Sequence, residues 1–187
     1  MIHLWNTFLG YIQISYPRIP WILFFACVLL VVFEVLHRAS CLRFKGDCKK
    51  SIWLKIPLSL TLSFIFVLTL FGRTPGDYSY SLIPFSSYCR VIDERNVELL
   101  LEIIMNIAVY IPIGFLLPCC FQCFAKLWRV LVVAAIFALG IELVQALAEI
   151  GHFEIDDVIN NVLGAGLGLI IFIIVTKTQQ RAKGESL

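Results

Sequence analysis

The chain predicts an all-α membrane bundle of about five transmembrane helices, on three observations. Of its 187 residues, 60% are hydrophobic and 15% charged, and the mean hydropathy is +0.90. A soluble domain carries about 25% charge and 45–50% apolar residues. Five windows are apolar over about the 20 residues that a membrane crossing needs. Lysine and arginine collect on one side of those windows.

The whole chain, 1–187, is expected to form a single membrane domain. Residues 1–19, opening "MIHLWNTFLGYIQISYPR", are rich in aromatics and run into Pro17, Arg18 and Pro20. Trp and Tyr settle at the headgroup level, so this segment is expected to lie in the interface. The spans follow at roughly Trp21–Leu36, Ile52–Phe71, Leu99–Phe121, Leu127–Ala148 and Asp157–Thr176. Residues 177–187 are left as a polar cytosolic tail.

Orientation follows from where the cations fall. Between the first two spans lie Arg38, Arg43, Lys45, Lys49, Lys50 and Lys55. Lys126 and Arg129 follow the third, and the tail holds Lys177, Arg181 and Lys183. With five spans these eleven share one side, and only Arg18, Arg73, Arg90 and Arg95 face the other. The N-terminus is therefore expected outside and the C-terminus in the cytosol. A net charge of +2 gives no reason to expect a nucleic-acid partner. The seven cysteines include a C-C-x-x-C cluster without a second pair at zinc spacing, so free thiols are expected.

Polar residues inside the apolar windows are the candidates for function, because a charged side chain at the bilayer centre costs about 2.5–3.5 kcal/mol on insertion scales and usually faces an interior or a water-filled cavity. In span four, Ala134, Ala138, Glu142, Gln145 and Glu149 follow helical spacing on one stripe. In span five, Asp157, Asn161, Gly164 and Gly168 do the same, and Gly164-xxx-Gly168 is a spacing that lets helix backbones approach. At 1.5 Å per residue, Asn106 and Glu142 lie about 10 Å below the outer ends of their helices. Together these residues predict an outward-facing polar pocket. Asp156 and Asn160 are expected to point away from it, with Asp156 capping its own helix. Pro112 should kink or loosen span three, and Arg73, at the outer end of span two, is placed to snorkel or to bind an anion at the pocket mouth.

The segments "NIAVYIPIGFLLP" (Asn106–Pro118) and "IELVQALAEIGHFEIDDVINNVLGAGLG" (Ile141–Gly168) resemble the VanZ-like family, named for a membrane protein that gives low-level resistance to the lipid-tailed glycopeptide teicoplanin. "LFGR" (Leu70–Arg73) and "LIPF" (Leu82–Phe85) are similar to family segments in the same order, so the resemblance spans roughly 71–171. It implies a polar signature at Arg73, Asn106, Glu142, Gln145, Asp157 and Asn161, and structural positions at Pro112, Gly114, Pro118 and Gly164. Many family members carry an arginine before the acidic motif, where this chain has Gly151-His152. The resemblance also implies a multi-pass protein of the cell membrane that lowers glycopeptide action. Its ligand would be a lipid-tailed glycopeptide or a lipid-linked cell-wall precursor.

The alternative is an intramembrane enzyme modifying a lipid or lipid-linked sugar, with Glu142 and Asp157 dividing acid and base roles. No Ser-His or Cys-His pair and no phosphate-binding glycine loop accompanies them. The carboxylates and amides are also hard oxygen ligands of the kind that hold Mg²⁺ or Ca²⁺, a minor third reading. No cofactor or metal is assigned.

Overall fold

The computed structural model describes residues 18–44, 52–71 and 79–182. The architecture is an all-α membrane bundle. Among the described residues, four helices are long and apolar enough to cross a membrane: Trp53–Leu70, Val97–Cys120, Leu127–Leu147 and Ile155–Ala182. The predicted first span falls in a fifth helix whose apolar part, Ile19–Val35, is shorter. Most of the proposed interfacial segment, residues 1–17, lies outside the described residues, as do 183–187 of the tail. The chain divides into two compact units, Met1–Arg73 and Thr74–Leu187.

The first unit holds helix α1 (Ile19–Phe44) and helix α2 (Ile52–Leu70). Phe25, early in α1, packs its ring 5.1 Å from Phe66 and 5.8 Å from Phe71, at the far end of α2. Glu34, later in α1, meets Lys55 at the start of α2, with Nζ 2.7 Å from Oε2. The two helices therefore run antiparallel. Lys55 is buried, and burying its ammonium is tolerable only because the carboxylate pairs with it.

The second unit begins with strand β1 (Ser79–Ser81) and helix α3 (Ser86–Glu94). Helix α4 (Val97–Cys120) follows, then a short 3-10 turn (Gln122–Ala125) and helix α5 (Leu127–Ala148). Strand β2 (His152–Glu154) leads into helix α6 (Ile155–Ala182). The strands pair in parallel, Ser79 opposite His152 and Ser81 opposite Glu154. Helix α4 starts because Asn96 accepts the Leu99 N–H at 3.0 Å, with Glu98 in the first turn complementing the dipole. It continues unbroken through Pro112 to Cys120, so the proline does not end the helix. Helix α5 ends at Ala148 in a Schellman turn. Glu149 takes a left-handed conformation (φ 53°), and the N–H groups of Glu149 and Ile150 return to Ala146 O and Gln145 O. That turn removes Glu149 from the predicted stripe and leaves it exposed, while Ala134, Ala138, Glu142 and Gln145 are buried.

Helix α6 is the middle of this unit, packing extensively on α4 and also on α5. It outruns its predicted end by a turn and a half, since "KTQQRA" contains nothing that stops a helix. Three close approaches weld α6 to α4. A Cβ on Gly164 would sit 2.0 Å from the Ile107 carbonyl oxygen, one on Gly168 2.0 Å from that of Ile111, and one on Gly114 1.9 Å from that of Ala165. The glycine Cα–H groups point at those carbonyls, the geometry of weak Cα–H···O contacts. Matching 107 to 164 and 111 to 168 shows that α4 and α6 run parallel, with α5 returning between their ends. One end of the unit then carries Arg90 and Arg95 among many acids, and the other carries Lys126, Arg129, Lys177 and Arg181.

Candidate functional site

The predicted polar residues gather at the acidic end. Asn106, one helical turn into the apolar part of α4, donates from Nδ2 to Asp157 Oδ1 at 2.7 Å. Asp157 also lies within electrostatic range of Glu154, Glu102 and Asp156. Glu142, buried on α5, accepts the backbone N–H of Glu154 at 3.3 Å and so fastens β2 to α5. Gln145 and Asn161 are buried as well.

The spacing along α4 and α6 locates two further groups. Asn106 meets Asp157 and Gly114 meets Ala165, each pair 51 residues apart. Tyr110 and Asn161 have the same separation and stand one turn from both contacts, so they share a level between them. Tyr110 packs its ring 6.0 Å from that of Phe137 on α5 and feels the charge of Glu142. Among the described residues its hydroxyl and Asn161 Oδ1 are buried without a hydrogen-bond partner, as is Asn160 Nδ2. Buried polar atoms are nearly always satisfied, which sets these groups apart from most of the buried interior. Tyr110 was not singled out by the sequence. The signal available was its place four residues after Asn106, on the same stripe.

Asp156 and Asn160 depart from expectation. Both are buried, and Asp156 serves another helix in place of its own. Its Oδ1 accepts the Phe85 N–H at 2.5 Å and its Oδ2 the Ser87 N–H at 2.8 Å, capping the start of α3 from outside. Asn160 Oδ1 accepts the Tyr88 hydroxyl. Burial, and then the Asp156 charge, holds that hydroxyl above its ordinary pKa, which keeps it a donor. Ser87 donates to Glu154 Oε2 at 2.8 Å, and Arg90 reaches both Glu154 oxygens at 3.1 Å. The Asp156 and Asn160 side chains do turn away from Asn106, as expected, but onto α3, a partner that is missed when α6 is given one covered face. The helix is covered by α4 on one side and by α3 over its first turns, so both members of each Asp-Asp and Asn-Asn pair find a neighbour.

Arg73 lies outside the described residues. Gly114, Gly164 and Gly168 form the α4–α6 contact, and Pro112 and Pro118 lie within α4. Among the described residues, no three His, Cys, Asp or Glu side chains are grouped so as to hold a metal ion.

Apolar helices with a layer of carboxylates, amides and a tyrosine at one end define a multi-pass integral membrane protein with its polar chemistry near one surface. The family model described as VanZ/LLP1 matches residues 56–176, well over half of the chain, and the chain belongs to that family. No match is found among curated protein sequences or among solved structures.

Proposed function

We propose that this VanZ-family membrane protein uses the polar layer of Asn106, Asp157, Asn161, Tyr110, Glu142 and Gln145 to bind a lipid-tailed glycopeptide or a lipid-linked cell-wall precursor at the outer face. Binding there lowers susceptibility to glycopeptides of the teicoplanin type. The observation that carries the reading is the pair of unpartnered buried groups, Tyr110 OH and Asn161 Oδ1, one helical turn from the Asn106–Asp157 bond. A ligand rich in hydroxyl and amide groups satisfies both, and burial makes each such bond worth more than it is in water. The acidic end faces outward because the cations of α5 and α6 lie at the opposite end.

The test is a glycopeptide-sensitive host expressing the wild-type chain or Asp157→Asn at equal membrane level. The asparagine still accepts from Asn106, so the fold survives while the charge is lost. The wild type should raise the teicoplanin concentration needed for inhibition, and Asp157→Asn should remove that protection. A wild-type chain without effect on sensitivity, and without retention by vesicles carrying the lipid-linked precursor, overturns the reading.

A further inference from the structure

A short helix on a water-covered surface buries its apolar side and exposes its polar one. Helix α3 follows that rule only in part: Arg90, Asp93 and Glu94 are exposed and Tyr88 and Val91 half-buried, yet a second, apolar stripe also faces outward. Ser87 is turned inward at 2% exposure, bonded through its N–H to Asp156 and through its hydroxyl to Glu154. The opposite stripe, Phe85, Cys89 and Ile92 at helical spacing, faces outward, with Phe85 57% and Ile92 76% exposed. The approach to the helix continues that surface: Leu82 is 62% and Ile83 71% exposed.

The backbone is strained to keep this arrangement. Phe85 has φ 64° and ψ 10°, the left-handed region, which is a genuine outlier for a bulky side chain. Such strain persists only where the surroundings over-determine it. Here the Phe85 N–H is held by the buried Asp156 carboxylate.

We propose that the segment from Leu82 to Ile92 is a membrane foot: its apolar stripe sinks into the acyl-headgroup boundary of the leaflet at the acidic end. The occupant is the bilayer itself, because the foot is tied by hydrogen bonds to the first two turns of α6, a helix long and apolar enough to cross a membrane whose Leu163, Leu167, Ile170 and Ile174 are exposed. The foot therefore continues an existing lipid interface. Arg90, paired with Glu154, and Glu94 lie on the other side of the helix, and the exposed Asp93 borders the stripe at its edge, where a carboxylate stays with headgroups and water. This inference rests on the membrane fold and is independent of the ligand proposed above.

Spin labels test it directly. Single cysteines at position 83, 89 or 92, with Glu94→Cys as the control, are labelled in protein reconstituted into phospholipid vesicles. Collision with lipid-soluble oxygen is then compared with collision with a water-soluble nickel chelate. The foot labels should favour oxygen severalfold over the chelate, and the Glu94 position should show the opposite preference. Equal chelate access at all four positions overturns the proposal. Because removal of the other cysteines, Cys120 among them, can unfold the chain, a second probe leaves them in place. A photoreactive phenylalanine analogue at position 85 should crosslink to phospholipid as one at Ile170 does. Crosslinking to lipid at Ile170 but not at position 85 also overturns it.

Discussion

Asn106 on α4 donates a hydrogen bond of 2.7 Å to Asp157 on α6, across two parallel helices that also approach closely at three glycines. The two side chains are the polar rung above an apolar seam. A hydrogen bond to a charged group contributes about 1.5–3 kcal/mol, less where the pair is partly exposed. Asn106→Ala should therefore lower thermal stability in detergent by about 1 kcal/mol. Asp157→Asn, which keeps an acceptor facing Asn106, should leave it nearly unchanged. A melting series that ranks the two the other way would remove the structural half of this account.

Asp156 makes a sharper case. Both its oxygens accept backbone N–H groups, so Asp156→Asn places an amide donor against a donor and leaves a buried group unsatisfied, at about 1–3 kcal/mol. The expected outcome is a loosened α3, read as faster proteolysis within residues 79–95 with the bundle intact. Unchanged cleavage would mean that the cap is dispensable.

The glycines of the α4–α6 seam separate from glycines elsewhere. Gly168→Ala puts a methyl group 2.0 Å from a carbonyl oxygen, so the helices must part. Overpacking of this kind costs about 1–3 kcal/mol or more. Gly140→Ala on α5 meets nothing within 4 Å and should be neutral or stabilise by up to about 1 kcal/mol through helix propensity. Size-exclusion profiles and melting points of the two variants provide the comparison.

Topology is testable with the cysteines of the second unit. Cys123 is exposed beside the basic end, where Arg129 donates to its carbonyl at 2.8 Å. An impermeant thiol reagent should reach a cysteine at Glu94 on intact cells and should reach Cys123 only after permeabilisation. Reversal of that pattern would place the polar layer on the cytosolic side.

Much of the bundle was legible because apolar length and glycine spacing are local signals. The fourth span was read as Leu127–Ala148, the observed α5, and Gly164 and Gly168 were read as a close helix contact. The layer of Asn106, Glu142, Gln145, Asp157 and Asn161 was also legible, since polar residues in apolar windows stand out. What was not legible depends on long-range pairing. Three-residue strands carry no periodicity, so β1 and β2 were invisible. "SSYCRVIDE" has the amphipathic pattern of a helix, but which side faces inward is set by Asp156, some 70 residues away. For the same reason the partners of Asp156 and Asn160 were missed, and Tyr110 passed as one more aromatic in an apolar run.

The strand pair has a consequence for how the protein is made. Ser79 and His152 are 73 residues apart, and α3, α4 and α5 are all synthesised between them. Contacts of such sequence separation form late, after the intervening loop has been closed. As the chain emerges, β1 must wait as an unpaired edge until α5 has crossed back and β2 has appeared. Asp156, which holds α3, arrives only four residues after His152. Cap, clamp and strand are thus completed within one short stretch of synthesis, and a chain interrupted before residue 152 would carry its helices in the membrane without the Asp156 and Glu154 bonds that hold α3 against α6.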